Sequence, residues 1–205
     1  MKRLGIAVVI VLAAVAGCGS KAPTAAPPTQ PATTGAPSPS SPASAAPSGA
    51  PSATPSSSLE FTVDGAGPYQ LGATLAALQS AGSLQEVTPH ATCPGNTSAR
   101  GAGIWADIRL SFHKEGDLYL AVNRSPSIPT PSGAWLGTTL AALKTIYKGV
   151  TGQELTKGTR SAYLVTTFSG RGILFDLDPG KKVISMVAGD AGYLKASYLG
   201  GTDFC

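Results

Sequence analysis

The chain has 205 residues and a formal net charge of +4 at pH 7, with 25 glycines, 17 prolines and three cysteines. Three of the fifteen basic residues precede residue 59, whereas every acidic residue lies at Glu60 or later, so residues 59–205 carry twelve basic and eleven acidic side chains. This near-neutral region has no basic stripe with interleaved aromatics, so composition gives no reason to expect nucleic-acid binding.

The N-terminal segment has the parts of a secretory leader. Lys2 and Arg3 supply positive charge, and residues 4–15 form an apolar stretch that is too short to span a bilayer as a helix. We therefore expect residues 1–17 to be a signal peptide.

The leader ends in the four residues Val-Ala-Gly-Cys at positions 15–18. This ending resembles the lipobox of bacterial lipoproteins. The resemblance implies cleavage before Cys18 and a diacylglyceryl thioether on Cys18, often with a further N-linked acyl chain such as palmitate. Two or three acyl chains anchor a protein firmly, so we expect the chain on the extracytoplasmic face of the cell membrane. The alternatives are an ordinary signal peptide with an incidental cysteine, and an uncleaved anchor.

A low-complexity segment follows the cysteine. Apart from Lys21 and Gln30, residues 19–58 contain only Ala, Pro, Ser, Thr and Gly, with ten prolines. Such a segment cannot bury enough apolar surface to offset its ordering entropy, so residues 18–58 are predicted to be a disordered stalk. Its reach lies between about 40 Å as a flexible coil and about 120 Å as polyproline II.

Residues 59–205 have the length of one domain, and this domain retains two cysteines. Cys93 lies in a Pro/Gly/Asn-containing loop, and Cys205 is the last residue of the sequence. In an oxidising compartment such a pair predicts a disulfide that pins the C-terminus to the first half of the domain. Metal ligation with His90 and His113 is the competing interpretation, but no Cys-x-x-Cys spacing supports it. We expect neither a metal site nor a cofactor.

An internal repeat is the main fold signal. Residues 71–78 (LGATLAAL) recur as residues 136–143 (LGTTLAAL), with seven identities in eight positions and an offset of 65 residues. Thr74 and Thr139 are suited to cap helices whose leucines fall on one face, and these helices should end near Gly82 and Gly149.

Strand-like sequence follows each helix. After the first helix we predict strands over residues 104–112 and 118–122, joined by a turn over 113–117. After the second we predict strands over residues 162–168, 172–176 and 183–187, with Asp-Pro-Gly at 178–180 as a turn. The sequence thus predicts an α+β fold in which two helix-plus-antiparallel-hairpin repeats, about 59–125 and 126–205, form one sheet with helices packed against it.

The Gly-x-Thr-Leu helix opening followed by a hairpin, present twice and with a cysteine bridge nearby, resembles the tandem-repeat β-lactamase inhibitory proteins. It is more distantly similar to the small lipoproteins of outer-membrane assembly, which have one such unit. The resemblance implies a binding surface made of the sheet and its loops. None of the inhibitors' contact residues matches a position here, so it does not imply β-lactamase inhibition.

The sequence contains no recognisable catalytic motif that would support an enzymatic function. His90 and His113 have no spacing that names a partner, and the carboxylates Asp176 and Asp178 are explained by a solvated turn. The glycines of residues 65–68 do not form a phosphate-binding loop, and no nucleophile elbow or zinc-protease helix occurs. We therefore expect a protein that is not an enzyme.

Aromatic residues are the remaining candidates for function, because they serve as interface anchors and sugar-stacking platforms. The candidate binding surface consists of Trp105, Trp135, Tyr69, Tyr193 and Tyr198. The same positions suit a core, since Trp105 begins a predicted strand and Trp135 precedes the second helix. An exposed contiguous patch favours a binding module, and scattered burial favours a spacer or structural role.

These observations together predict a membrane-anchored lipoprotein that displays a non-catalytic binding domain on a stalk. Its expected partners are the membrane, through the lipid on Cys18, and an envelope protein or cell-wall glycan. The alternative is a solute-binding or enzymatic extracellular domain whose functional residues are too dispersed to recognise.

Overall fold

The computed structural model of the protein describes residues 59–202, 204 and 205. The predicted signal peptide of residues 1–17, the lipidation site Cys18 and the predicted stalk of residues 18–58 lie outside the described residues. Among the helices that are described, none combines the length and the apolar character needed to cross a membrane.

The described chain opens with a small three-stranded antiparallel sheet. Its strands are β1 (Phe61–Thr62), β2 (Gly65–Ala66) and β3 (Tyr69–Gln70). The Tyr69 side chain is buried, and its hydroxyl donates to the carbonyl of Ser83 and accepts from the amide of Ala102. Tyr69 therefore fixes this small sheet to the chain segments that follow it.

Eight strands form one large antiparallel sheet. In chain order they are β4 (Leu84–Pro89), β5 (Thr97–Gly101), β6 (Ile108–Phe112), β7 (Leu118–Asn123), β8 (Thr151–Lys157), β9 (Arg160–Thr166), β10 (Arg171–Leu177) and β11 (Val183–Asp190). Across the sheet their order is β4-β5-β6-β7-β11-β10-β9-β8. The chain thus builds each half from an outer edge toward the centre, where β7 pairs with β11.

The described residues also form three α-helices: α1 (Leu75–Ser80), α2 (Leu140–Ile146) and α3 (Ala191–Gly200). The hydroxyls of Thr74 and Thr139 cap α1 and α2, as the sequence predicts. Each hydroxyl accepts a hydrogen bond from the backbone amide of the third residue of its helix. The helices end at Ser80 and Ile146, close to the predicted glycines. Asp190 caps α3 in the same way, because its carboxylate accepts from the amide of Tyr193 at 2.7 Å.

The entrances of α1 and α2 make the same backbone contacts with the large sheet. At the first entrance the bonds are Gly72 N to Leu118 O, Leu75 N to Gly116 O and Leu118 N to Ala73 O. At the second entrance they are Gly137 N to Val183 O, Leu140 N to Lys181 O and Val183 N to Thr138 O. Each donor and acceptor of the second set lies 65 positions after its counterpart, the offset of the sequence motif.

The sheet has a different cover on each face. On one face, α1 and α2 pack through Leu78 and Leu143 into the main core, which also contains Phe61, Phe112 and Phe175. On the other face, Leu194 and Tyr198 of α3 pack on a second core cluster that includes residues of β8, β9, β10 and β11. Burial of both faces gives this α+β domain its two hydrophobic layers.

The predicted strand boundaries need correction at two places. Residues 103–105 form a 3-10 turn and the strand begins only at Ile108, because Gly103 adopts a positive φ that breaks the extended run. The strand predicted over 162–168 spans Arg160–Thr166, and Phe168 lies in the turn beyond it. Strands β4, β5 and β8 and helix α3 were not predicted.

Candidate binding cleft on the sheet

In the part of the chain that the structure describes, a helix covers only one half of the sheet face that carries α3. Helix α3 packs on β8 to β11, whereas the same face of β4 to β7 borders a cleft of about 500 Å³. The charged side chains that line this cleft are Arg100, Arg109, Arg124, Arg160, Glu86 and Asp176. We call this region the arginine cleft.

Strand alternation places the arginines in the cleft. On β6, Ile108 and Leu110 are buried in the main core, so Arg109 and Ser111 between them point to the opposite face. On β5, Ala99 and Gly101 are buried, and Arg100 between them lies on the cleft side. Because alternate residues of β5 and β6 point into the core, the residues between them, such as Arg100, Arg109 and Ser111, line the cleft.

Two of the four arginines have carboxylate partners. Arg100 donates from Nη1 to both carboxylate oxygens of Glu86, at 3.1 and 3.3 Å, and from Nε to the carbonyl of Ala106. The Arg160 guanidinium lies 3.7 Å from the Asp176 carboxylate. Within residues 59–202, Arg109 and Arg124 form no ion pair.

The arginines are crowded. Arg100 and Arg109 lie directly opposite each other in the pairing of β5 with β6. Like charges in opposed positions of a sheet are destabilising. Arg124 lies two positions after Val122, the residue that pairs with Arg109, so it is a diagonal neighbour of Arg109 on the same face. Three positive side chains therefore lie on β5, on β6 and at the position that follows β7.

Arginine, not lysine, supplies this charge. Residues 59–205 contain five arginines and seven lysines. Four of the five arginines line the cleft, and none of the seven lysines, all of them in the described part of the chain, does so. Guanidinium groups bind carboxylate and phosphate groups through two parallel hydrogen bonds, which an ammonium group cannot match.

Asp176 lies at the border between the open and the covered half. Burial raises the pKa of its carboxyl above the ordinary value, while Arg160 and Arg124 oppose that shift. The Tyr198 ring packs 5.1 Å below the Arg160 guanidinium, and its buried hydroxyl has no partner among the described residues. Burial, followed by the Asp176 charge, raises the pKa of Tyr198.

The C-terminus forms another wall of the cleft and is tightly held. Cys205 is disulfide-bonded to Cys93, with 5.3 Å between the Cα atoms, as the sequence predicts. The carbonyl of Phe204 accepts hydrogen bonds from the hydroxyls of Tyr119 and Tyr193. Burial, together with the neighbouring Tyr119, raises the pKa of Tyr193 to about 12. Tyr193 thus has a structural role in this clamp.

The five aromatic residues proposed as a binding surface do not share one exposed patch. Tyr69 and Tyr198 are 1% and 2% exposed, and Trp105 is half-buried edge-on against Tyr69. Tyr193 is half-buried in the C-terminal clamp, while Trp135 is 55% exposed on the segment before α2. Aromatic side chains often form binding surfaces, but four of these five lie in the hydrophobic core or pack against it.

The histidines and acidic pairs have local structural partners. His90 Nε2 lies 3.8 Å from Cys93 Sγ, and the ligand atoms of His90, Cys93 and Cys205 lie within 4.8 Å of one another. Both sulfurs are engaged in the disulfide, whereas metal ligation requires thiolates. His113 stacks on Tyr119 with 4.1 Å between the ring centroids. Asp178 accepts a hydrogen bond from the backbone of Lys182 inside the turn.

The arginine cleft was missed in the sequence, although part of its signal was present. The strand predicted through residue 112 puts Arg109 and Ser111 on the face opposite Ile108 and Leu110. Its partner strand β5 (TSARG) has few of the β-branched and aromatic residues that mark strands, so the opposition of Arg100 with Arg109 was hidden.

Comparison with known proteins gives little further information. No protein-family model matches the chain, and no curated protein matches it. Among solved structures, an extracellular protein containing an SCP domain from Bacillus anthracis str. Ames is similar, with a TM-score of 0.40 and 11% sequence identity. The similarity covers 61% of this chain and 46% of that chain, so it spans less than half of the neighbour.

Proposed function

We propose that the chain is a lipid-anchored lipoprotein of the cell envelope and that its domain binds another envelope component without catalysing a reaction. The lipobox at residues 15–18 and the low-complexity segment before residue 59 support the anchor and the stalk. The Cys93–Cys205 disulfide supports an oxidising, extracytoplasmic compartment, because disulfides are rare where thiols are kept reduced.

The arginine cleft is the observation that carries the binding function. No helix of the described residues covers one half of a sheet face, and the side chains there converge on a concave surface. Concave sites with a few convergent polar groups are the usual place for ligands. Wall glycans and envelope proteins both remain candidate partners, but the cleft favours a ligand recognised by charge more than by aromatic stacking.

We also infer that the domain is a duplicated unit of one helix and four antiparallel strands. The repeated octapeptide, the equivalent hydrogen bonds at both helix entrances and the edge-to-centre strand order in each half support this inference. In this proposal the architecture resembles that of the tandem-repeat β-lactamase inhibitory proteins, and α3 is an addition to the second unit.

Capture of a small solute is the second candidate function. The cleft volume of about 500 Å³ falls in the range of small-molecule sites. The first candidate binds a component that stays in the envelope, and the second binds a diffusible solute. Experiments in cells can distinguish these two kinds of ligand.

The anchor is tested by intact-mass spectrometry of the protein extracted from native membranes. We expect a chain that begins at Cys18, carries two or three acyl chains, and gains two hydrogens on reduction of its disulfide. An unmodified chain cleaved at another position would overturn the lipoprotein proposal.

The binding surface is tested by site-specific photo-crosslinking in living cells. A photoreactive residue in place of Thr88, which lines the cleft on edge strand β4, should capture a discrete envelope component. The matched control is Thr156, an exposed threonine on the opposite edge strand β8. Equal capture from both positions, or none from either, would contradict binding through the cleft.

A further inference from the structure

We propose that the arginine cleft binds a phosphate group, held between the guanidinium groups of Arg109 and Arg124. This inference rests on the proposed binding function and specifies the chemistry of the ligand. It follows from the charge balance of the cleft, the positions of the two arginines and the residue types around them.

Among the described residues, the charge balance of the cleft leaves two positive charges without an ion-pair partner. The lining contains four arginines and two carboxylates, Glu86 and Asp176. Glu86 is held by Arg100 and Asp176 lies beside Arg160. Arg109 and Arg124 therefore retain a combined charge of +2, which a dianion at one position would neutralise.

The geometry brings these two charges together. Arg109 pairs with Val122 across β6 and β7, and Arg124 is the next residue of that chain on the same face. Diagonal neighbours in an antiparallel sheet are about 7–8 Å apart, within reach of long side chains. Two guanidiniums at this spacing can turn toward one tetrahedral group and present several N–H donors to it.

The surroundings suit an oxyanion. The side chains of Ser98 and Ser111, which are opposed in the β5 and β6 pairing, line the cleft beside Arg100 and Arg109 and add hydroxyl donors. Leu120 and Val122 form an apolar floor that strengthens charge interactions by excluding water. An occupied site would also relieve the repulsion between the opposed arginines.

A phosphate matches this site better than a single carboxylate does. A phosphate monoester carries about −1.5 to −2 charges at pH 7, with three acceptor oxygens on one atom. One carboxylate carries a single charge and would leave the second guanidinium uncompensated. The absence of lysine from the lining agrees with recognition by bidentate hydrogen bonds rather than by charge alone.

The test is an NMR titration of the full chain in detergent, with its disulfide intact, that follows the arginine side-chain Nε–H resonances. Inorganic phosphate is the probe, and acetate and succinate are added at the same ionic strength. We expect phosphate to shift the Arg109 and Arg124 signals with a Kd at least about tenfold below that for acetate. Each of Arg109→Gln and Arg124→Gln should weaken phosphate binding about tenfold or more.

Matched variants keep the result interpretable. Arg109 and Arg124 are exposed, so their glutamine variants should retain the wild-type unfolding temperature. Arg171→Gln removes an arginine outside the cleft and should leave the phosphate Kd unchanged. A Kd that rises equally in all three variants would show general charge attraction and would overturn the site.

Additional binding experiments distinguish a lipid headgroup from free phosphate. Vesicles containing phosphatidic acid test a lipid headgroup against free phosphate, and preferential binding to either source supports the phosphate site. Succinate binding as tightly as phosphate would instead indicate an acidic peptide and overturn the proposal. If phosphate fails to bind while crosslinking from Thr88 persists, the phosphate assignment fails and the binding function stands.

Discussion

The two halves of one sheet face differ sharply in chemistry. Where α3 lies over β8 to β11, the facing side chains are apolar and include Leu164 and Leu174. Over β5 and β6, where none of the described helices lies, the same face carries Arg100, Arg109 and Ser111. One continuous sheet thus has a structural half and a polar half, and the polar half is where a ligand can approach.

The first test removes the disulfide that holds the C-terminus beside the open half of the sheet. The disulfide ties Cys205, which follows α3, to Cys93 in the loop between the outer strands of the open half. Replacing both cysteines by serine should lower the free energy of unfolding by as much as about 4.7 kcal/mol, the chain-entropy limit for a loop of about one hundred residues. Urea denaturation measures the loss, and reduced wild-type protein should match the variant. A change below about 1 kcal/mol would mean that the tyrosine clamp alone holds the C-terminus.

The second test removes apolar contact from the covered half. Leu194 on α3 is fully buried against the sheet, so Leu194→Ala should cost about 3 kcal/mol through lost burial and a residual cavity. Leu199→Ala is the matched control, because Leu199 on the same helix is 37% exposed and should cost less than about 1 kcal/mol. Equal losses in the two variants, measured by urea denaturation, would contradict the conclusion that burial of Leu194 holds α3 on the sheet.

The parts of the fold that the sequence predicted are those with local signals. The repeated octapeptide (residues 71–78 and 136–143) predicted where both helices begin, because threonine capping and leucine spacing act within a few residues. The disulfide followed from compartment and cysteine count. Strand β8 (TGQELTK) stayed hidden since it has one buried residue on an edge, and α3 (AGYLKASYLG) since its glycines obscure the helical pattern.

The candidate site was less predictable for a physical reason. Its charged residues come from β4, β5, β6, β9 and β10 and from the position after β7, so their convergence depends on the strand order, which is a long-range property. Strand alternation indicated the outward face of Arg109. Nothing local indicated that β7 would pair with β11 and place Arg160 and Asp176 beside that face.

The third test compares two buried tyrosine hydroxyls. Tyr147 donates to Thr130 Oγ1 at 2.8 Å inside the main core, so Tyr147→Phe should cost about 1 kcal/mol. The Tyr198 hydroxyl is buried at the border of the two halves without a partner among the described residues, so Tyr198→Phe should be neutral or slightly stabilising. Thermal unfolding of both variants decides this. A loss at Tyr198 equal to that at Tyr147 would reveal a bonding partner reached from the cleft.

The last test uses pH to probe the border itself. Burial raises the folded-state pKa of Asp176 above its ordinary value near about 4, so burial favours the protonated carboxyl. The stability associated with this shift is fully present below the unfolded-state pKa and is lost as pH rises through the folded-state pKa. Asp176→Asn cannot ionise. Its unfolding temperature relative to wild type should therefore increase by a few degrees from about pH 4 toward neutrality.

Asp64→Asn, which removes an exposed carboxyl outside the cleft, separates this trend from the general effect of losing one negative charge. A difference between Asp176→Asn and wild type that stays constant across the pH range would mean that Arg160 and Arg124 fully offset the burial of Asp176. In that case part of the Arg124 charge would already compensate Asp176, and Arg109 would contribute more of the attraction for an anion. The pH trend of Asp176 and the phosphate affinity of the cleft are therefore linked through Arg124, because a guanidinium that compensates one anion is less free to bind another.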